Sequence, residues 1–82
     1  MTVEESMPLE MDTVVLTRDV PEHGLMKGDV GVVVHVYEGP PAYEVEFVTA
    51  EGKTVAVLTL REGEIRPVRA REILHTRELT TV

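Results

Sequence analysis

The chain has 82 residues and no cysteine, and its fifteen acidic against eight basic side chains leave a formal net charge of −7. A chain of this length holds one domain with a small share of buried surface, which excludes a roomy internal cavity; without cysteine there are no disulfide staples, thiolate nucleophiles or cysteine-held zinc. The acidic balance opposes sequence-independent attraction to phosphate backbones and to anionic lipid.

The charge is uneven. Residues 1–60 carry eleven acids and three bases, a net of −8, whereas residues 61–82 carry five arginines and four glutamates, a net of +1. No apolar run approaches the ~20 residues that span a bilayer, and Met1 to Met11 has acidic residues where a signal peptide has basic ones. A cytoplasmic protein with no membrane partner is the expectation.

Residues 1–10, with Pro8 and three glutamates, read as a flexible lead-in to a single domain over residues 11–82. Asp12 to Thr17 is rich in β-branched residues and reads as the first strand. Val20 to Gly28 follows as a long excursion loop with Leu25 and Met26 as its apolar anchors, closed by a turn at Lys27-Gly28-Asp29. Gly31 opens a valine-rich run through Tyr37, a central strand that Glu38-Gly39-Pro40-Pro41 ends because proline has no amide hydrogen for a ladder.

Tyr43, Val45 and Phe47 alternate with Glu44 and Glu46, which predicts one face in the core and one in water. Ala50 to Lys53 is a hairpin connection to a partner strand, Thr54 to Leu60, whose apolar phase changes between Val57 and Leu58 and predicts a bulge there. Arg61 to Glu64 is read as a single helical turn, and Ile65 to Val68 as a short strand that Pro67 restricts to an edge. The phase change between Val57 and Leu58 is equally met by a bend. In Glu72 to Leu79, Ile73, His75, Arg77 and Leu79 share a side if extended, whereas Ile73, Leu74 and Arg77 cluster if helical; a strand is preferred. The pattern is all-β, with five or six short, mostly antiparallel strands in a closed or nearly closed small barrel.

Asp12 to Leu16, Leu25 to Gly31, Tyr43 to Val48, Ile65 to Val68 and Glu72 to Leu79 together resemble a family of small bacterial proteins, domain of unknown function 4926, over residues 11–79. The resemblance implies an SH3-like barrel and no assigned activity. Lys27 to Val36 is also similar to the glycine-containing turn of KOW modules of ribosomal proteins and transcription factors, and Tyr43 to Phe47 to a strand in the barrel of the nitrile hydratase β subunit. The first comparison lacks the basic residues that nucleic-acid contact needs. The second would require a metal-bearing subunit that this chain does not contain.

Histidines 23, 35 and 75 are widely separated, without HxH or HxxxH spacing, and read as solvated or partly packed side chains rather than metal ligands or bases. Glu44 and Glu46 point the same way on one strand, yet alternating glutamates on an exposed face read as a solubility device. Gly24, Gly28 and Gly31 fit neither the dinucleotide fingerprint nor the P-loop, and Gly31 is read as relieving backbone crowding. No nucleophile, base and orienter can be assembled, so no catalytic residue, metal or cofactor is assigned and the chain is read as not an enzyme.

Arginines 61, 66, 69, 71 and 77 either offset the acidic body or form a docking patch for an acidic partner. No aromatic residue interleaves them, which disfavours nucleic-acid stacking. The loop Val20 to Met26 and the proline pair near Tyr37 and Tyr43 are where an SH3-like barrel presents a surface, although without tryptophan a polyproline groove is disfavoured. The candidate partner-binding residues are therefore His23, Leu25, Tyr37, Tyr43, Arg69, Arg71 and Arg77.

These features point first to a non-catalytic protein-interaction module that binds a protein through its long loop, an exposed strand edge or the arginine-bearing tail, with homo-oligomerisation open through the same edge. The alternatives are a small acidic inhibitor of a basic protein, of the antitoxin or immunity kind, and a KOW-like nucleic-acid-binding module.

Overall fold

The computed structural model describes residues 7–79, and β-branched and alternating segments form its five strands: β1 (Thr13–Leu16), β2 (Val30–Tyr37), β3 (Ala42–Val48), β4 (Thr54–Arg61) and β5 (Ile65–Pro67). All pairings are antiparallel, and the strands lie in one sheet in the order β4-β3-β2-β1-β5. The fold is thus all-β and barrel-like, as the strand pattern predicts, with five strands. Among the described residues no helix is long and apolar enough to cross a membrane.

Among the described residues no second layer covers this sheet, and its apolar face is buried by curling on itself. The core accordingly takes side chains from every strand: Val14 and Leu16, Val33, Tyr43, Val45 and Phe47, Ala56 and Leu60, and Ile65. Burying a Val, Leu, Ile or Phe side chain contributes about 1.5–3 kcal/mol, and these residues supply most of the driving force available to so small a chain. The glutamates of β3 alternate outward, as expected.

Curling brings backbone and side chains close at Gly31. A Cβ there would lie 2.7 Å from Val45 Cγ1, 2.8 Å from Phe47 Cε1 and 3.0 Å from the Glu46 carbonyl oxygen. Crowding at Gly31 is thus found within β2 rather than at a bend, and it comes from the Val45 and Phe47 side chains and the Glu46 carbonyl of the neighbouring β3.

Several local expectations are corrected. The bulges lie elsewhere: Val34 is the extra residue between the Val33–Val45 and His35–Glu44 pairs, and Val55 the extra residue between Ala56–Phe47 and Thr54–Val48. Pairing runs unbroken through Val57 and Leu58. Val57 misleads because it is apolar yet stands on the outer face, exposed, while Ala56, Leu58 and Leu60 turn inward.

The excursion loop is anchored by Val20 and Leu25, which exchange backbone hydrogen bonds of 2.8 and 3.1 Å around the 3₁₀ turn Pro21–His23; Met26 is exposed. Arg61 to Glu64 is a tight turn and not a helical one. Its Glu64 N–H donates to the Arg61 carbonyl at 3.0 Å, with Gly63 at a φ of +95° that ends helical geometry.

The preferred sixth strand does not form: residues 68–79 follow β5 without regular structure and make no ladder with any strand. Of the lead-in, residues 1–6 lie outside the described residues. Leu9 to Asp12 closes a turn, with the Asp12 carboxylate accepting the Leu9 N–H at 2.8 Å.

Two stability predictions follow from the core. Gly31→Ala should destabilise the domain by about 1–3 kcal/mol, because neither the Glu46 backbone nor the packed Val45 can retreat cheaply; an unchanged thermal midpoint would refute the crowding. Tyr43 is 1 % exposed and its hydroxyl has no hydrogen-bond partner. Tyr43→Phe should therefore raise stability by about 1 kcal/mol in urea unfolding, whereas a loss would mean that the hydroxyl is satisfied in solution.

Candidate functional site

The most distinctive surface is built by the tail that follows β5. Pro67 cannot extend the ladder, and after Val68 the chain reverses in a turn at Arg69–Glu72, where the Glu72 N–H donates to the Arg69 carbonyl at 3.0 Å. The Glu72 carboxylate closes that turn. It accepts the Arg69 N–H at 2.8 Å and both terminal nitrogens of Arg66, at 2.8 and 2.7 Å.

Farther along, Arg77 reaches back to the loop before β2. Its guanidinium donates to both carboxylate oxygens of Asp29, at 2.8 and 2.5 Å, and to the Gly24 carbonyl at 2.9 Å. Asp29 also accepts the Met26 N–H at 2.9 Å, so one carboxylate closes the Met26–Asp29 turn and holds the tail. Planar guanidinium against planar carboxylate makes both anchors bidentate and directional.

Between the anchors, Ile73 is 91 % and Leu74 65 % exposed. Residues 75–79 then form one wall of an open groove of about 500 Å³ whose opposite wall is the β3–β4 hairpin at residues 48–51. Leu25, Val30, Phe47 and Val55 line its apolar part, and the exposed Glu51 and Glu78 contribute carboxylates.

The electrostatics follow the pairing. Burial pushes the Asp29 carboxyl up, but the Arg77 hydrogen bonds, the Met26 amide and the Arg77 charge outweigh it and hold it below its ordinary value. Hydrogen bonds from Arg66 and the Arg69 amide bring Glu72 to about 2. Glu64 is also held low, by the Arg61 amide against some burial, with help from Arg18 at 2.8 Å.

Of the residues expected to meet a partner, Leu25 and Arg77 come together in the groove lining. His23 is exposed on the 3₁₀ turn, whereas Tyr43 is packed in the core and is not presented to a partner. Tyr43 pairs with Val36 and turns inward, whereas Tyr37 turns outward. Arg69 and Arg71 are exposed at the tail turn, but Arg77 is committed to Asp29. Arg66 and Arg77 are held by different carboxylates, Glu72 and Asp29.

Glu44 and Glu46 do not form an acid–base pair either. Glu44 accepts hydroxyl hydrogen bonds from Thr59 at 2.6 Å and Tyr37 at 3.1 Å, and Glu46 from Thr54 at 2.7 Å, which ties the outer face of β2, β3 and β4 together. His35 lies edge-on to Tyr37 with ring centroids 4.6 Å apart. Among the described residues no three His, Asp or Glu side chains are placed to hold a metal ion.

Ile73, Leu74 and Asp29 were missed as surface and anchor residues. An Ile-Leu pair in a segment of ambiguous period was the available signal for the first two. No local signal exists for an Asp29–Arg77 pair 48 positions apart.

The anchors predict an acid-labile tail. Carboxyls whose folded pKa is lowered stabilise the docked tail fully above their ordinary values, near 3.8 for Asp and 4.5 for Glu, and that contribution is lost as pH falls towards about 2. In an NMR titration downward from neutral pH, the amides of Ile73, Leu74 and Arg77 should shift through this window before those of Val45 and Leu60. Simultaneous loss of all signals would rule out separate release of the tail.

No curated protein and no solved structure matches the chain. A family model described as "Domain of unknown function (DUF4926)" matches residues 10–67. That span contains all five strands and ends with the last residue of β5, leaving the tail outside it. The chain belongs to the DUF4926 domain-of-unknown-function family.

Proposed function

We propose that the protein is a non-catalytic protein-interaction module that engages a protein partner through its tail. The observation that carries this reading is the Ile73–Leu74 pair, held in water between two arginine–carboxylate anchors. Covering two such side chains is worth about 1.5–3 kcal/mol each, and an already ordered segment loses less entropy when it binds. The hydroxyl-bonded Glu44 and Glu46 and the scattered histidines supply no converging set for chemistry.

Nucleic acid fits less well, because Arg18, Arg66 and Arg77 already hold Glu64, Glu72 and Asp29, and a phosphate would have to displace those carboxylates. The net charge of −8 on residues 1–60 favours a second reading, a small acidic inhibitor of a basic protein; its association would be steered by charge and weakened by salt.

Affinity capture from native lysate with the tagged full chain, at low and high salt, tests the proposal against an Ile73→Asp/Leu74→Asp variant. A protein retained at both salt concentrations by the wild type and lost with the variant is the expected result. Loss of a basic protein at high salt with both forms would transfer the case to the inhibitor reading, and recovery of nucleic acid alone would overturn both.

A further inference from the structure

The exposed tail segment and the groove beside it have complementary chemistry. The segment offers an aliphatic pair, Ile73 and Leu74, with the exposed cationic Arg71 two positions before it. The groove offers an apolar lining that includes Val30, Phe47 and Val55, with carboxylates from Glu51 and Glu78. Within one molecule the two do not meet, since Ile73 and Leu74 remain in water and are not among the groove's lining residues.

We propose that the Ile73–Leu74 segment of one copy seats in the groove of a second copy, and reciprocally, to form a two-fold homodimer. This rests on the interaction-module reading and names its partner. Three observations favour a second copy as the occupant. The charges are opposite in sign: a basic Arg71 on the inserting segment against Glu51 of the −8 body and Glu78 in the groove lining, where Arg77 is already paired with Asp29. The inserting residues run directly into residues 75–79, which wall the groove. Donor and acceptor are therefore contiguous on one surface, and an isologous interface uses the same surface of both copies. Both anchors hold the tail in place before contact, which lowers the ordering cost.

The sheet edges, where the sequence places self-association, are less suited. β5 is three residues long and ends in Pro67, and β4 is interrupted by its bulge at Val55. The tail contact is small for a stable interface, so the dimer belongs in the micromolar-to-millimolar range.

Sedimentation velocity of the full chain from micromolar to millimolar concentration tests this. The expected result is a reversible, concentration-dependent rise to twice the monomer mass, with Ile73→Asp and Leu74→Asp each weakening association by about tenfold or more. Arg71→Glu and Glu51→Arg should each weaken it, and the double variant should recover affinity because opposite charges face each other again. All four positions are exposed, so circular dichroism should find each variant folded. A monomer at every concentration, a dimer indifferent to Ile73→Asp, or a charge-reversed double variant weaker than either single change would overturn the dimer. The two proposals fail separately: a monomer that still captures a partner through Ile73 and Leu74 retains the module reading, and a dimer that captures nothing else confines that reading to self-association.

Discussion

A single sheet with one apolar face buries that face by curling over it, and the core of this protein depends on that curl. The curl lets nine strand residues from all five strands meet in one core. It also crowds position 31 of β2, where Val45 and Phe47 of the neighbouring β3 stand within 3 Å of where a Cβ would go. The bulges at Val34 and Val55 act in the same direction. Each inserts one residue, bends its strand and reverses which side chains face inward.

The tail is held by a different kind of force. Hydrophobic burial is spread over the strands and costs little specificity, whereas the tail is held by two bidentate guanidinium–carboxylate pairs at defined points. Exposed ion pairs contribute little to stability in water, typically about 0–1 kcal/mol. Their consequence here is positional: they set where Ile73 and Leu74 stand, and do so without burying either. An anchor of this kind can be released by protonation or salt while the core stays folded, which makes the tail the part of the molecule most responsive to its surroundings.

The outer face of β2, β3 and β4 answers a separate requirement. Its glutamates are not isolated charges, because threonine and tyrosine hydroxyls from neighbouring strands donate to them. Such cross-strand pairs add sheet stability where no second layer can pack. The same glutamates give that outer face negative charge.

Strand identity, the alternation of β3, the edge position of Pro67 and the crowding at Gly31 were all legible from residue type and spacing, because period-two burial and the missing Cβ are local properties. The family was legible too, from four blocks lying in the strands and their turns; the fifth, Glu72 to Leu79, falls outside the matched residues 10–67. The bulge positions were not: an apolar valine at 34, 55 or 57 reads the same whether it faces in or out, and only its cross-strand partner decides. Tyr43 and Tyr37 are alike in sequence, yet register sends one into the core and the other to the surface. The tail depended on tertiary structure most of all. Its residues favoured a strand over a helix and it forms neither, because its path is set by Asp29, a carboxylate that the fold brings within reach of Arg77.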